Sequence, residues 1–370
     1  MPSKSNHSAL HNKPSIVNVA VAVIHYKEQY LLGFRSAAQH QGNRYEFVGG
    51  KIDHNESAEQ AVIREVAEET DIAIHSNTVV KLGRLHHDYG DKQVSLQVYK
   101  IELTTPQYEQ HKHCEYGLEG QALTWVNKSD LLAGKYHLPA ANQTILEWLR
   151  LPAKISITYP LTHFHSHSDP ASAWLQFHQE KLAADNWVYV RIKDAISENI
   201  VEQLMRQRPD ILAIVPYEAN SQFLNIAEST ADIRTHQQIV AHHLTHTALM
   251  NWFNHSQSNS PQDSSVSDQL IPRTQPLIVS CHNIISIHAA NQLARVRLQQ
   301  HLPPVIGAFL SPVLATETHP DTEPLGWEAW SELAQLADMP MIGLGGLSPI
   351  MINQALKYGG VSVAGIRQFF

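Results

Sequence analysis

Residues 50–72 read GKIDHNESAEQAVIREVAEETDI and hold the pattern that decides the first half of the chain. On a helix, Glu65, Glu68 and Glu69 stand at positions i, i+3 and i+4, so their carboxylates share one face. Mg²⁺ is a hard cation that takes several oxygen ligands in near-octahedral geometry. The spacing therefore predicts a helix that brings three carboxylates to one metal ion.

The other residues of this stretch favour the same helix. Val62, Ile63 and Val66 form an apolar stripe that can pack against a sheet. Arg64 can pair with the carboxylates and hold them in register. A purely solvated acidic face is the simpler interpretation, but it does not account for Gly50, Glu56 and the charged residues at fixed spacing.

The sequence around this helix indicates strands up to about Arg150. The runs IVNVAVAVI and QYLLGF predict a first hairpin, and VSLQVYKIEL predicts a later strand. One acidic helix among several strands is typical of a mixed α+β fold.

After residue 150 the rhythm changes, and apolar strand-like runs alternate with amphipathic stretches about eight times, as in a (β/α)8 barrel. The strand-like runs are ISITYP, VYVRI, ILAIVP, IVAHHL, LIVSC, VIGAFL, MIGLG and VSVAGI. A chain of 370 residues is long enough for two domains. We predict a flexible tail over 1–15, a first domain over 16–150 and a barrel over 155–370, with a mobile loop at about 254–275.

Composition limits the partners. The net charge of −8 makes a poor surface for a nucleic-acid polymer, although a metal ion can offset carboxylates locally and admit a nucleotide. No apolar run approaches the roughly 18 residues of a membrane span. Two cysteines argue against a disulfide framework and favour a reducing cytoplasm. The oligomeric state stays open.

The run NRYEFVGGKIDHNESAEQAVIREVAEETDI, followed downstream by LEGQALTW and LPAANQTIL, resembles the Nudix family. Within that family it is most similar to the MutT-like hydrolases of oxidised purine nucleotides, over roughly residues 16–150. The resemblance implies an α/β/α sandwich with a mixed sheet. It also implies Mg²⁺-dependent cleavage of a nucleotide pyrophosphate, with Mn²⁺ as an alternative ion.

The resemblance also implies roles for single residues. The implied metal site comprises Glu65, Glu68, Glu69, Glu119 and the carbonyl of Gly49, with Arg64 beside it. The implied substrate contacts are Arg35, Phe47, Tyr89 and Asn142, and Asn142 is the residue that reads the oxidised guanine edge. Either Glu65 or Glu119 is the base that activates water. Asp71 departs from the pattern, because it stands where the family has a glycine after the helix, in a left-handed position that Asp tolerates.

The second half resembles the thiamine phosphate synthase/TenI superfamily, through VRIKD, HHLT, VSCHN, GAFLSPVLATETHP and IGLGGL. Gly345-Gly346 follows the seventh predicted strand, where such barrels bind phosphate, although paired glycines at a strand end are also a common turn. The implied ligand pocket comprises Arg191, Lys193, His282, Thr316, Thr318, Gly345, Gly346 and Arg367.

This half departs from the synthase at its metal site. The two aspartate positions correspond best to Ile226, in Asn225-Ile226, and to Ala248. We therefore expect no synthase activity. TenI-like thiazole tautomerases need no metal and use a histidine that matches His282, since a proton shuttle near neutral pH suffices.

Three functional hypotheses follow. The first is Mg²⁺-dependent hydrolysis of 8-oxo-dGTP, or of a similar oxidised purine nucleoside triphosphate, to monophosphate and pyrophosphate. The second is hydrolysis of thiamine diphosphate or its damaged analogues, with the barrel as a thiazole-phosphate-binding or tautomerase-like module. In the third, the barrel only senses a ligand or supports the first domain.

Overall fold

The computed structural model describes residues 16–38, 42–90, 92–191, 198–217, 237–257, 271–317 and 321–370. The predicted tail, Lys193, Thr318, Asn225-Ile226 and most of the predicted loop lie outside these ranges. Within the ranges, no helix combines the length and apolar character needed to cross a membrane.

The first half is built on a mixed seven-stranded sheet, as predicted. Its strands are β1 Ile16–Tyr26, β2 Gln29–Phe34, β3 Tyr45–Glu46, β4 Val48–Lys51, β5 Val79–Asp88, β6 Gln93–Glu102 and β7 Ala122–Asn127. Strand β1 is central, because it pairs antiparallel with β2 and β4 and parallel with β6. Its helices are α1 Ala58–Thr70, α2 Thr105–His111, α3 Lys128–Leu132 and α4 Asn142–Leu149.

The two faces of β1 contact different helices, since successive side chains of a strand point to opposite faces. Ala20, Ala22 and Ile24 belong to one buried cluster with Val62 and Val66 of α1. Val62 and Val66 are fully buried, which contributes about 1.5–3 kcal/mol each to the free energy of unfolding.

The opposite face of the sheet carries α4. Val21 and Val23 of β1 pack in a second cluster with Ile145 and Leu146 of that helix. The sheet therefore lies between helices, and the predicted sandwich is confirmed.

The second half is a closed barrel in which eight strands pair in parallel, as predicted. The strands are β8 Lys154–Ile157, β9 Trp187–Tyr189, β10 Leu212–Pro216, β11 Ile239–Leu244, β12 Leu277–Cys281, β13 Val305–Leu310, β14 Met341–Leu344 and β15 Ser362–Gly365. The helices in the described ranges are α5 Pro170–Lys181, α6 Glu198–Gln207, α7 His246–Gln257, α8 Ile284–Gln299, α9 Gly326–Gln335 and α10 Ile352–Lys357. Helix α7 includes residues 254–257, where the predicted loop was to begin.

The first half docks on the base of the barrel, meaning the end where the strands begin. Trp148 of α4 donates its indole N–H to the carbonyl of Val305, the first residue of β13, at 3.1 Å. Arg84 of β5 pairs with Asp338, which precedes β14 by a short segment. The mouth of the barrel, where the strands end, therefore faces away from the first half.

Candidate active site

Helix α1 is fixed at both ends by local backbone chemistry. Ser57 caps the N-terminus and exchanges hydrogen bonds with Gln60, which satisfies N–H groups that a helix start leaves free. Asp71 ends the helix with φ of 61°, and its N–H bonds the carbonyl of Ala67 at 3.0 Å. Asp71 thus takes the left-handed conformation expected for the glycine it replaces.

Arg64 organises the acidic face of α1. Its guanidinium donates to Glu56 at 2.6 Å, to Glu65 at 2.8 Å and to Glu68 at 3.0 Å. These hydrogen bonds hold the pKa of Arg64 above its usual range. The predicted pairing of Arg64 with the carboxylates is therefore present, and it extends to Glu56.

Glu65 lies against β4, where Gly50 leaves room for it. A Cβ atom on Gly50 would stand 2.2 Å from the Glu65 carboxylate, so a side chain at that position must displace it. Burial raises the pKa of Glu65, while Arg64 opposes the shift and Glu68 and Glu119 add to it.

Glu69 is the most enclosed of the three predicted metal ligands. The backbone N–H of Gly49 donates to its Oε1, and the Gln121 side chain donates to its Oε2, each at 3.3 Å. Burial, reinforced by the charges of Glu46 and Glu65, raises the pKa of Glu69 to about 7.

The loop that carries Glu119 is pinned to the end of α1. Leu118 donates its N–H to the carbonyl of Glu69 at 2.9 Å, and a Cβ on Gly117 would lie 2.3 Å from the same oxygen. Glu119 itself is exposed, and its charge acts on Glu65. The structure thus brings Glu119 to the centre formed by α1 and β4.

The donor set of this centre suits a hard divalent cation. Across the part of the chain that the structure describes, no three acidic, His or Cys side chains are already grouped tightly enough to hold an ion, and Glu68 is paired with Arg64. Glu65 and Glu69 are nevertheless partly buried, and burial, followed by the charges of nearby carboxylates, raises their pKa values, so that their ionised forms gain from positive compensation. An oxygen-seeking cation supplies that compensation, so the residues fit the predicted metal.

A cavity of about 210 Å³ opens beside this centre. All four predicted substrate contacts line it, together with two glycines of β4: Arg35, Phe47, Tyr89, Asn142, Gly49 and Gly50. Alternate valines of β1 and residues of β6 form its apolar floor: Val17, Val19, Val21, Val94 and Leu96. A flat apolar group can therefore lie on the floor while charged groups reach the carboxylate helix.

The polar groups that line the cavity differ in whether they have a hydrogen-bond partner among the described residues. Arg35 forms an ion pair with Glu46, but its Nε is buried and has no hydrogen-bond partner among the described residues. Asn142, the first residue of α4, is buried, and its backbone N–H bonds the carbonyl of Pro139 at 2.9 Å. Burial raises the pKa of Tyr89, and the nearby backbone of Ala141 opposes that shift.

Sequence reasoning assigned no role to two residues that the structure places at the centre. Glu46 pairs with Arg35, and Gln121 holds Glu69. Both lie inside the motifs EFVGG and LEGQ, but their partners are distant in sequence, so nothing in the local pattern indicated the pairing. Lys51 and Lys92 also line the cavity, and they add positive charge.

The mouth of the barrel gathers several of the predicted ligand residues. Gly345 and Gly346 follow β14 with φ of 103° and 67°, and Cβ atoms there would lie 2.9 Å from Pro312 and 2.7 Å from the Ala315 carbonyl. Thr316 lies in the loop after β13, which also contains Pro312 and Ala315. Arg367, after β15, forms an ion pair with Glu317 of that loop.

The other described residues of this set follow two further strands of the barrel, β12 and β9. His282 follows β12 and its Nδ1 is hydrogen bonded to the carbonyl of Ser311 at 2.8 Å, which places it beside the same loop. Arg191 follows β9. The burial of His243, together with the positive charge of Arg191, lowers the pKa of His243 to about 3. His246, which was not predicted, contacts His282 with ring centroids 4.8 Å apart.

The hydrolysis of a phosphoric anhydride requires carboxylates that bind a metal and a cavity that accepts phosphates. Helix α1 and the neighbouring cavity supply both, as in the class of pyrophosphohydrolases. Residues 19–148 match the family model described as NUDIX domain, and residues 277–369 match the model described as thiamine monophosphate synthase. The chain belongs to the Nudix family, and its barrel half is similar to the thiamine phosphate synthase/TenI superfamily.

The chain is also similar to individual proteins. The 8-oxo-dGTP diphosphatase of Escherichia coli K12 is 30% identical over 135 residues, which cover 36% of this chain and 96% of the relative. The putative thiamine-phosphate synthase 2 of Aquifex aeolicus is 33% identical over 60 residues, which cover 16% of this chain and 32% of the relative. A solved structure from work on MutT of Aliivibrio salmonicida and Vibrio cholerae is 27% identical with a TM-score of 0.28, and it covers 36% of this chain and 95% of that chain.

Proposed function

We propose that the protein hydrolyses an oxidised purine nucleoside triphosphate, with 8-oxo-dGTP as the preferred substrate, to the nucleoside monophosphate and pyrophosphate. The observation that carries the proposal is the cavity beside Gly49 and Gly50, in which Arg35, Phe47 and Asn142 meet. A purine fits its apolar floor, and the phosphates then reach the carboxylate helix.

The proposed reaction depends on Mg²⁺, with Mn²⁺ as a substitute. We assign its ligands to Glu65, Glu68, Glu69, Glu119 and the Gly49 carbonyl, all of which offer oxygen. The bound cation neutralises the phosphate oxygens that otherwise repel an incoming water. Without the cation, Arg64 keeps the carboxylates of Glu65 and Glu68 apart and ionised.

Glu65 is our first candidate for the base that takes a proton from water, and Glu119 is the alternative. Burial raises the pKa of Glu65, which makes its carboxylate a better proton acceptor than an ordinary glutamate. Glu119 is exposed on its loop and can approach a bound nucleotide from the solvent side.

Asn142 and Arg35 supply the proposed recognition. An Asn amide offers both a donor and an acceptor, which matches the paired polar atoms on a purine edge. Arg35 lines the same cavity and brings a guanidinium close to the bound base. We place this small-molecule chemistry in the cytoplasm, without a nucleic-acid polymer or a membrane as partner.

A second candidate activity is hydrolysis of thiamine diphosphate or its damaged analogues. It is favoured by the match of residues 277–369 to the thiamine monophosphate synthase model. In that case the barrel binds a thiazole phosphate or acts as a tautomerase-like module.

A substrate panel separates the two candidates. The purified full chain is assayed with Mg²⁺ against 8-oxo-dGTP, dGTP and thiamine diphosphate, and kcat/KM is compared. We expect 8-oxo-dGTP to exceed dGTP by about tenfold or more, as one or two hydrogen bonds to the base can supply. A kcat/KM for thiamine diphosphate above both would overturn the purine assignment.

A further inference from the structure

Two elements run from the nucleotide cavity to the base of the barrel. Strand β5 is followed directly by Tyr89, and helix α4 begins with Asn142; both residues line the cavity. At the barrel, β5 contributes Arg84 and α4 contributes Trp148. The cavity and the barrel are therefore joined by two pieces of regular structure.

The barrel segment 335–338 runs along β5. Lys81 donates its ammonium to the carbonyl of Gln335 at 2.6 Å. Arg84 donates its backbone N–H to the carbonyl of Asp338 at 3.3 Å and its Nε to the carboxylate of the same residue at 2.9 Å. Asp338 is only 4% exposed, so its charge depends on Arg84 for compensation.

Gly83 is the point where β5, α4 and the barrel meet. A Cβ atom there would lie 2.7 Å from the Asp338 carbonyl oxygen and 2.8 Å from Cη2 of Trp148. Any side chain must therefore move the barrel segment or the indole ring. Trp148 is buried and bonded to Val305, so it has little room to yield.

The two elements are also tied to each other at the cavity. Tyr89 lies close enough to the backbone of Ala141, the residue before Asn142, for that backbone to oppose the rise that burial causes in the Tyr89 pKa, and Tyr89 and Asn142 line the same cavity. Strand β5 and helix α4 thus meet each other near Tyr89 at the cavity, and both contact the barrel at their other ends.

We propose that the barrel half positions the substrate-reading wall of the nucleotide cavity, with Arg84, Trp148 and Asp338 as positioning residues. None of the three lines that cavity, so they act through Tyr89 and Asn142. The carboxylate helix α1 packs instead on β4, β1 and β6. A disturbance at the barrel base should therefore weaken substrate binding and leave the chemical step nearly intact.

The test uses the full chain with Asp338→Asn and, separately, Gly83→Ala, each assayed for kcat and KM with dGTP and 8-oxo-dGTP. Asp210→Asn is the matched control, because it removes the carboxylate of a barrel ion pair, with Arg208, that does not reach the first half. Circular dichroism verifies that each variant is folded. If Gly83→Ala does not fold, Asp338→Asn, which removes one charge without adding bulk, decides alone.

We expect KM to rise about fivefold or more for both nucleotides while kcat stays within about twofold, since a lost binding contact acts on KM. The control should match the wild type. Unchanged KM in the folded Asp338→Asn variant, or a fall in kcat at constant KM, would overturn the proposal. The proposal rests on the proposed hydrolysis of nucleotides, but not on the preference for the oxidised base. Equal wild-type kcat/KM for the two nucleotides would refute the oxidised-purine assignment, while the KM shift with dGTP would still decide the role of the barrel.

Discussion

At the scale of single residues, the account depends most on Glu69. Its carboxylate is held by the Gly49 N–H and by Gln121, and burial raises its pKa to about 7, so it is enclosed and poorly compensated. Replacing it with Gln removes a charge and keeps the shape. We expect Glu69→Gln to lower kcat at least about a hundredfold, which corresponds to several kcal/mol of lost transition-state stabilisation.

Steady-state hydrolysis of 8-oxo-dGTP measures this effect, and thermal unfolding verifies that the variant is folded. Glu202→Gln serves as the control, because Glu202 pairs with Arg206 on α6, far from the carboxylate helix. A folded Glu69→Gln variant with turnover close to the wild type would remove Glu69 from the centre.

Asn142 carries the second prediction at this scale. If its amide bonds the oxidised guanine edge, Asn142→Ala should reduce the preference for 8-oxo-dGTP over dGTP by about 1–3 kcal/mol. The ratio of the two kcat/KM values measures it, with Asn353→Ala, an exposed change on α10, as the control. An unchanged ratio would take base recognition away from Asn142 and strengthen the thiamine alternative.

At the scale of elements, the packing of α5 predicts an acid limit to stability. His178 is fully buried; it accepts the Tyr159 N–H at Nε2 and donates from Nδ1 to the Trp174 carbonyl. Burial lowers its pKa from 6.5 to about 4. Because the unfolded chain binds this proton first, the free energy of unfolding should fall as the pH drops from 6.5 towards 4.

The expected loss attributable to His178 is about 2 kcal/mol between neutral pH and about pH 5. Urea unfolding at both pH values measures it in the wild type and in His178→Gln, which should lose less stability on acidification. His288→Gln, an exposed change on α8, should behave like the wild type. Equal pH dependence in the wild type and His178→Gln would contradict the assignment.

The loops after β13, β14 and β15 carry a prediction about the barrel mouth. Gly345, Gly346 and Arg367 can hold a phosphate monoester without a metal, whereas a leaving pyrophosphate needs a cation. Ala248 of α7 offers no carboxylate for one. We expect thiazole phosphate to bind the full chain with or without a chelator, and no thiamine phosphate to form when the pyrimidine pyrophosphate is added.

Calorimetry and product chromatography test this prediction. Arg367→Met should weaken binding about tenfold, as the loss of a charge-assisted contact does. Arg206→Met on α6 is the control. Thiamine phosphate formation that a chelator abolishes would show that a metal site exists, and absence of binding would leave the barrel without a ligand role.

Sequence patterns predicted the elements well because the decisive signals were local. The spacing of Glu65, Glu68 and Glu69 depends on one helix, and the alternation of strands and helices depends on periodicity along the chain. The left-handed turn at Asp71 was predicted through the family resemblance, and the structure has it.

Pairings between distant segments could not be predicted in this way. Glu46 with Arg35, Gln121 with Glu69 and Arg84 with Asp338 form only once the sheet and the barrel are assembled. Nothing in the sequence near Gly83 indicates that Asp338 and Trp148 pack where a side chain at position 83 would stand. The closeness of Arg35, Phe47 and Asn142 was known only through the family resemblance.

At the scale of the whole molecule, the first half lies at the base of the barrel, and the predicted ligand residues of the barrel lie at its mouth. Trp148 and Arg84 hold the first half at the base, while Gly345, His282 and Arg367 lie at the mouth. A product of one site must therefore leave into solvent to reach the other. This arrangement favours a structural link between the halves over direct transfer of an intermediate.

The most direct test of the central claim is the identity of the products, followed by phosphorus NMR while the full chain acts on 8-oxo-dGTP with Mg²⁺. A Nudix centre built on Glu65 and Glu69 should yield 8-oxo-dGMP and pyrophosphate in equal amounts; both signals should be absent with a chelator and should grow at least about a hundredfold more slowly with Glu69→Gln. Release of orthophosphate with the nucleoside diphosphate, or hydrolysis by Glu69→Gln at close to the wild-type rate, would contradict the account.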